Sequence, residues 1–67
     1  MSYALKLQII CKELNMGIRK TATHIGIKGD TAYLILEGHH QTPVEHNAQV
    51  IDDWYSRIVR GDHLRVG

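Results

Sequence analysis

Charged side chains are distributed unevenly along this sequence, and the excess of cations in its first part suits an anionic partner. Residues 1–38 hold five Lys/Arg against three acids, a charge of +2, and the remainder holds three Arg against four acids, a charge of −1. His24, His39 and His40 add partial positive charge near neutral pH. The net charge of +1 is small for a nucleic-acid binder, where a basic surplus is usual. The distribution is consistent with one side that faces a nucleic acid.

The histidines and the single cysteine do not have the spacing of a metal site. His39-His40 with His46 lacks the tetrahedral Cys/His pattern, and Cys11 is predicted to be a small buried residue on the apolar face of the first helix. No Ser/His/Asp set is recognisable, and the adjacent Asp52-Asp53 face different directions on a helix. A domain this small rarely encloses a substrate pocket. We therefore expect no enzymatic activity, no cofactor, no metal and no small-molecule substrate.

Two short helices hinged at one glycine are predicted for residues 18–38. Apolar residues recur at helical spacing on either side of Gly26: Ile18, Ala22, Ile25, Ala32, Ile35 and Leu36. Gly38 occupies a helix-stop position. Two helices joined by about three or four residues containing glycine have the spacing of the helix-turn-helix, whose second helix enters a DNA major groove. We therefore predict that residues 29–37 form a DNA-reading helix.

This segment and its flanking helices resemble the lambda repressor and Cro-like helix-turn-helix family over residues 3–58. The resemblance rests on Ala22, on Ile25-Gly26-Ile27 at the turn, and on Ile35 and Gly38. It implies an all-α fold, a compact domain of four to five helices. The family reads bases from the positions that hold Gly29, Asp30, Tyr33 and Leu34 in this sequence.

The side chains at these base-reading positions define what each can contact. Gly29 offers no side chain, Asp30 can accept a hydrogen bond from a cytosine amino group, and Leu34 can contact a thymine methyl. Tyr33 can use its hydroxyl or its ring. Lys28 and Thr31, the remaining residues of the predicted base-reading set, have conventional DNA chemistry.

The same resemblance implies where the DNA backbone is held. Phosphate contacts in such domains come from the start of the first motif helix and from the link after the second helix. Those places hold Arg19, Lys20, Thr21, His39, His40, Gln41 and Thr42. The alternative is that Arg19 and Lys20 are only a solvated face.

A second motif overlaps the first at residues 25–29. Gly26-Ile27-Lys28-Gly29 has the Gly-x-x-Gly form of the loop that clamps the RNA backbone in KH domains. That fold needs two further strands before its last helix, and residues 39–42 leave no room for them. Short glycine motifs recur by accident, so we favour the helix-turn-helix.

Helices are also predicted on both sides of the motif. Residues 2–14 show helical apolar spacing, although a strand over 5–10 competes because Leu-Lys-Leu-Gln-Ile alternates. After the motif, Thr42-Pro43-Val44-Glu45 has the form of a capping box with proline at the first helical position, and it predicts a helix that continues to Gly61.

Val50 and Trp54 form a second apolar stripe on this last predicted helix. The simpler interpretation is that Trp54 closes the core over the first helix, and we favour it. The alternative is that Val50 and Trp54 pair two subunits, because small helix-turn-helix regulators need a dimer to bind two half-sites. A homodimer would also supply the burial that a 67-residue chain lacks.

Length and composition agree with one small globular domain. The chain has 67 residues, of which 43% are hydrophobic and 22% are charged. We predict a DNA-binding domain over residues 1–60 and a C-terminal tail over 61–67. No apolar run or signal segment indicates a membrane or secretion, and a lone cysteine fits a reducing compartment. We therefore expect a cytoplasmic protein.

Together these patterns predict a small sequence-specific regulator of transcription that binds duplex DNA and acts by occupying its operator. A phage or mobile-element repressor, Cro-like and dimeric, fits the size. One alternative is the DNA-binding domain of a transposition or recombination factor. The other is a helical adaptor that kept the fold for protein interaction without binding DNA, since Asp30 and Glu37 place acids on the reading helix.

Overall fold

Four helices make up most of the described chain, and none of its residues forms a strand. The structure is a computed structural model that describes residues 1–39 and 44–61. The helices are α1 (Tyr3–Leu14), α2 (Ile18–Ile25), α3 (Gly29–Leu36) and α4 (Glu45–Arg60). The predicted all-α class is confirmed over these residues. The alternative strand over 5–10 is wrong, because the continuous apolar spacing through residue 14 makes that segment part of α1.

Left-handed glycines end α2 and follow α3, as their places in the sequence predict. Gly26 has φ +92° and its N–H donates to the Ala22 carbonyl at 2.9 Å. Gly38 has φ +85° and its N–H donates to the Ile35 carbonyl at 3.1 Å. Glycine reaches these angles without the steric cost that a Cβ imposes. Both glycines therefore act as the helix stops that the sequence indicated.

The predicted start of the last helix is wrong by two residues. The capping box placed the N-cap at Thr42 and the first helical position at Pro43, but α4 begins at Glu45 with Val44 as its N-cap. Val44 has φ −56° and ψ 153°, so the backbone there is not yet helical, and its own apolar side chain makes no capping hydrogen bond. Glu45 still lies in the first turn, where a carboxylate is favourable beside the helix dipole. Thr42 and Pro43 lie outside the described residues.

One apolar core joins the four helices. Its buried members are Leu7, Ile10, Ala22, Ile25, Ile27, Ala32, Ile35, Ile51 and Ile58. Helix α1 packs against α3 and α4, while α2 packs mainly against α3. Each fully buried Leu or Ile side chain stabilises the fold by about 1.5–3 kcal/mol. Ala22 and Ala32 are fully buried, and side chains that small let α2 and α3 approach closely. The core thereby fixes the position of α3 relative to α1 and α2.

A polar cluster that the sequence did not reveal joins α1 to α4. Lys6 Nζ lies 2.7 Å from Asp52 Oδ1, and the Tyr3 hydroxyl donates to Asp52 Oδ2 at 3.0 Å. The Lys6 ammonium also lies 5.1 Å from the centroid of the Tyr3 ring and 5.5 Å from that of Tyr55. The hydrogen bond from Lys6 lowers the pKa of Asp52, and the hydrogen bond to Asp52 raises the pKa of Lys6.

We expect this cluster to make stability depend on pH. Because the pKa of Asp52 is lower in the folded chain than in the unfolded chain, its contribution is present above the unfolded pKa and is lost as pH falls through the folded pKa. Asp52→Asn should lower the free energy of unfolding by about 0.2–1 kcal/mol at neutral pH, since the group is half-exposed.

Urea unfolding of Asp52→Asn and of wild type at two pH values checks this expectation. The difference between them should shrink as the pH falls below the ordinary pKa of aspartate, because the stabilisation is lost as Asp52 becomes protonated in the folded chain. The adjacent exposed Asp53 gives the matched control, and Asp53→Asn should change stability little at either pH. A loss that is the same at both pH values would mean that the carboxylate charge does not stabilise the α1–α4 contact.

Candidate nucleic-acid interface

The starts of α2 and α3 meet at one arginine. Arg19, in the first turn of α2, has its Nη1 atom 3.6 Å from Asp30 Oδ1 in the first turn of α3. Its guanidinium carbon lies 5.2 Å from the centroid of the Tyr33 ring. A Cβ atom added to Gly29 would lie 3.3 Å from Arg19 Nη1, so the missing side chain gives the guanidinium its room. The structure thus joins a predicted phosphate-binding residue to the predicted base-reading set.

A short turn anchored in the core sets this arrangement. After Gly26, the Ile27 side chain is buried and its N–H donates to the Ala22 carbonyl at 2.9 Å. Lys28 then has extended backbone, with φ −71° and ψ 139°, and serves as the N-cap of α3. A turn held at Ile27 has little freedom to change the angle between the two helices. The start of α3 is therefore presented in a fixed orientation beside α2.

The outer side of α3 carries the predicted base-reading side chains. Asp30 and Lys28 are exposed, and Tyr33 and Leu34 are each 38% exposed. Gly29 and Thr31 are half-buried. The opposite side of the helix is buried through Ala32 and Ile35, as the apolar spacing indicated: the helix has one core face and one accessible face.

Known proteins give no further indication of the function of this chain. No protein-family model, curated protein or solved structure matches this chain.

Thr21 does not belong to the accessible surface, and its predicted phosphate contact is wrong. Its side chain is fully buried, and its hydroxyl donates to the Met16 carbonyl at 3.4 Å. Its N–H donates to the Gly17 carbonyl at 2.9 Å. The cause is helical register, because Thr21 lies four residues before the buried Ile25 and shares its face. That spacing was visible in the sequence.

Some of the remaining predicted phosphate-binding residues lie in the described part of the chain and others lie outside it. Lys20 is exposed on α2, beside Arg19, and His39 is exposed after α3. His40, Gln41 and Thr42 lie outside the described residues. The phosphate-binding role of all these residues stays a prediction.

The two residues of the predicted dimer interface pack against the core of their own chain. Val50 and Trp54 are half-buried there, in line with the simpler interpretation of Trp54. The Trp54 ring meets the His24 ring edge-on, with centroids 5.3 Å apart, and the Arg57 guanidinium lies 5.0 Å from the Trp54 ring centroid. The contact with His24 joins α4 to α2, whereas the contact with Arg57 lies within α4. The homodimer stays a prediction.

Other features of the described surface give no second site. Cys11 is half-buried rather than buried, because it lies at the rim of a shallow groove with Met16, Ile18 and Leu36. Residues 1–39 and 44–61 contain no group of three or more His, Cys, Asp or Glu that could hold a metal ion. Among the same residues, no helix has the length and apolar character needed to cross a membrane.

Proposed function

We propose that this protein binds duplex DNA through a helix-turn-helix of the lambda repressor and Cro-like type, and that it regulates transcription by occupying an operator. The observation that carries the proposal is the position of Arg19 on α2, whose guanidinium lies beside Asp30 and Tyr33 of α3. A cation on one helix next to the accessible face of another is the arrangement that holds a phosphate while side chains of the second helix contact bases.

The proposed mechanism follows from which side chains are accessible. The exposed side of α3 enters the major groove with its first turn directed to the base edges. Lys28 donates to guanine, Asp30 accepts from a cytosine amino group, and Leu34 contacts a thymine methyl. Arg19 and Lys20 hold the backbone. Occupancy of the site by this small domain then excludes other proteins from the same DNA.

The cations of the proposed face should make DNA affinity depend on salt concentration. Arg19, Lys20 and Lys28 lie on or beside the proposed face, and each cation that neutralises a phosphate releases a counterion. With two or three such contacts, affinity for duplex DNA of random sequence should fall about tenfold to fortyfold between about 50 and 200 mM salt.

Binding of a labelled random duplex at these two salt concentrations tests the proposal, with a single strand of the same length as the matched control. We expect tighter binding to the duplex, because α3 fits a major groove that a single strand does not form. A folded protein that binds neither DNA at low salt, or that prefers the single strand, would contradict the proposal.

A specific observation favours one other function, a helical module that binds another protein. Tyr33 and Leu34 are accessible apolar side chains on α3, and acids occupy both ends of the same helix at Asp30 and Glu37. Such a surface also suits an apolar patch on a protein with a basic rim. In that case the binding experiment above should show little DNA affinity at either salt concentration.

A further inference from the structure

We infer that Asp30 restrains Arg19 in the free protein and thereby weakens binding to DNA of non-specific sequence; the inference rests on the proposed function. Arg19 reaches the accessible face of α3 from α2, and its ion pair is made with a residue of that same face. The carboxylate therefore competes with phosphate for the guanidinium. When Arg19 binds the DNA backbone in a non-specific encounter, this ion pair has to be given up.

Three features of α3 hold the Arg19 side chain in this position. The carboxylate of Asp30 lies 3.6 Å from Nη1, and the Tyr33 ring lies 5.2 Å from the guanidinium carbon. Gly29 adds no side chain beside the guanidinium, where a Cβ would make a tight contact of 3.3 Å with Nη1. An ion pair and a cation–π contact on one short segment define a preferred orientation for an otherwise flexible side chain.

The ion pair is weak enough to be exchanged for a phosphate. The Arg19 and Asp30 side chains are 68% and 90% exposed, and an exposed pair of this kind changes an equilibrium by at most about fivefold. A phosphate can therefore displace Asp30 from Arg19. The ion pair therefore lowers the affinity for non-specific DNA and does not abolish binding.

Once a phosphate has displaced Asp30 from Arg19, the base pair that faces Asp30 decides whether binding is favoured. On most sequences the released carboxylate faces phosphates and base acceptors, which repel it. Opposite a cytosine amino group it accepts a hydrogen bond instead. Displacement of Asp30 from Arg19 is therefore compensated only at a site with a C·G pair in that position. The Arg19–Asp30 pair thus favours the operator over the excess of other DNA.

The substitution Asp30→Asn tests the inference, with a random-sequence duplex as the probe. It should bind this DNA about twofold to fivefold more tightly than wild type does, because Arg19 is released. Glu37→Gln is the matched control, since it removes the same charge at the other end of α3, and it should have the smaller effect.

A second substitution separates the ion pair from a general change in charge. In an Arg19→Gln background, Asp30→Asn should raise affinity no more than Glu37→Gln does in that background. If the full gain persists without Arg19, or if Asp30→Asn does not strengthen binding to random DNA, the inference is overturned. Salt-dependent duplex binding by wild type would leave the proposed function standing in that case. Absence of any duplex binding by folded wild type would instead remove both.

Discussion

Replacement of Ile35 by alanine will unfold a large fraction of the protein, whereas replacement of the adjacent Leu34 will leave it folded. Ile35 is 1% exposed and belongs to the core, while Leu34 is 38% exposed on the other side of α3. Truncation of a buried Ile to Ala costs about 2–5 kcal/mol, because contacts are lost and a cavity remains. A core in a domain of this size rarely supplies more than about 3–5 kcal/mol in total.

Thermal and urea unfolding followed by circular dichroism measures this contrast. Leu34→Ala should lose less than about 1 kcal/mol of stability, because its side chain is not enclosed. The proposed function adds that Leu34→Ala should alter DNA binding in the folded protein, through loss of its contact with a thymine methyl. Equal destabilisation by the two substitutions would mean that α3 does not have one buried and one accessible face.

Much of the fold follows from local sequence patterns. The apolar spacing around Gly26 and the stop at Gly38 predict α2 and α3 correctly, since glycine and helical periodicity act over a few residues. The start of α4 was harder to predict. Thr42-Pro43 has the right residue types for a helix start, but the conformation of Val44 delays the helix to Glu45. A local capping signal does not fix backbone angles that the surrounding fold also constrains.

Side-chain pairs between helices were harder to predict from the sequence, both in the fold and at the candidate site. Asp52 and Lys6 are 46 residues apart, and nothing local to either residue indicates the pair. The ion pair of Arg19 with Asp30 likewise exists only because the turn at Ile27 brings two helix starts together. Side-chain pairing across elements depends on interhelical geometry, which periodicity does not specify. The burial of Thr21, by contrast, could have been predicted from its spacing to Ile25.

Removal of two charges at the start of α2 should have the largest effect on DNA binding. Arg19→Gln/Lys20→Gln replaces both cations by neutral side chains of similar length that still donate hydrogen bonds. Affinity for a random duplex should fall about tenfold to a hundredfold at about 50 mM salt, because two counterion-releasing contacts are lost. Stability should change little, since both residues are exposed.

A control variant removes two positive charges at other positions of the chain. Lys12 lies on α1 and Arg57 on α4, and both residues are exposed. Neither residue is among those proposed to contact DNA. Lys12→Gln/Arg57→Gln therefore lowers the net charge of the protein equally without removing a proposed phosphate contact. The difference in DNA affinity between the two double variants measures the contribution of the start of α2 to DNA binding.

The slope of log affinity against log salt, measured for wild type and for these two double variants, tests most directly whether the starts of α2 and α3 form a duplex-binding face. We expect Arg19→Gln/Lys20→Gln to reduce the magnitude of the slope by about 1.8, as two lost phosphate contacts require. Lys12→Gln/Arg57→Gln should leave the slope near that of wild type. If the two variants change the slope equally, or if neither changes it, DNA does not bind at this face.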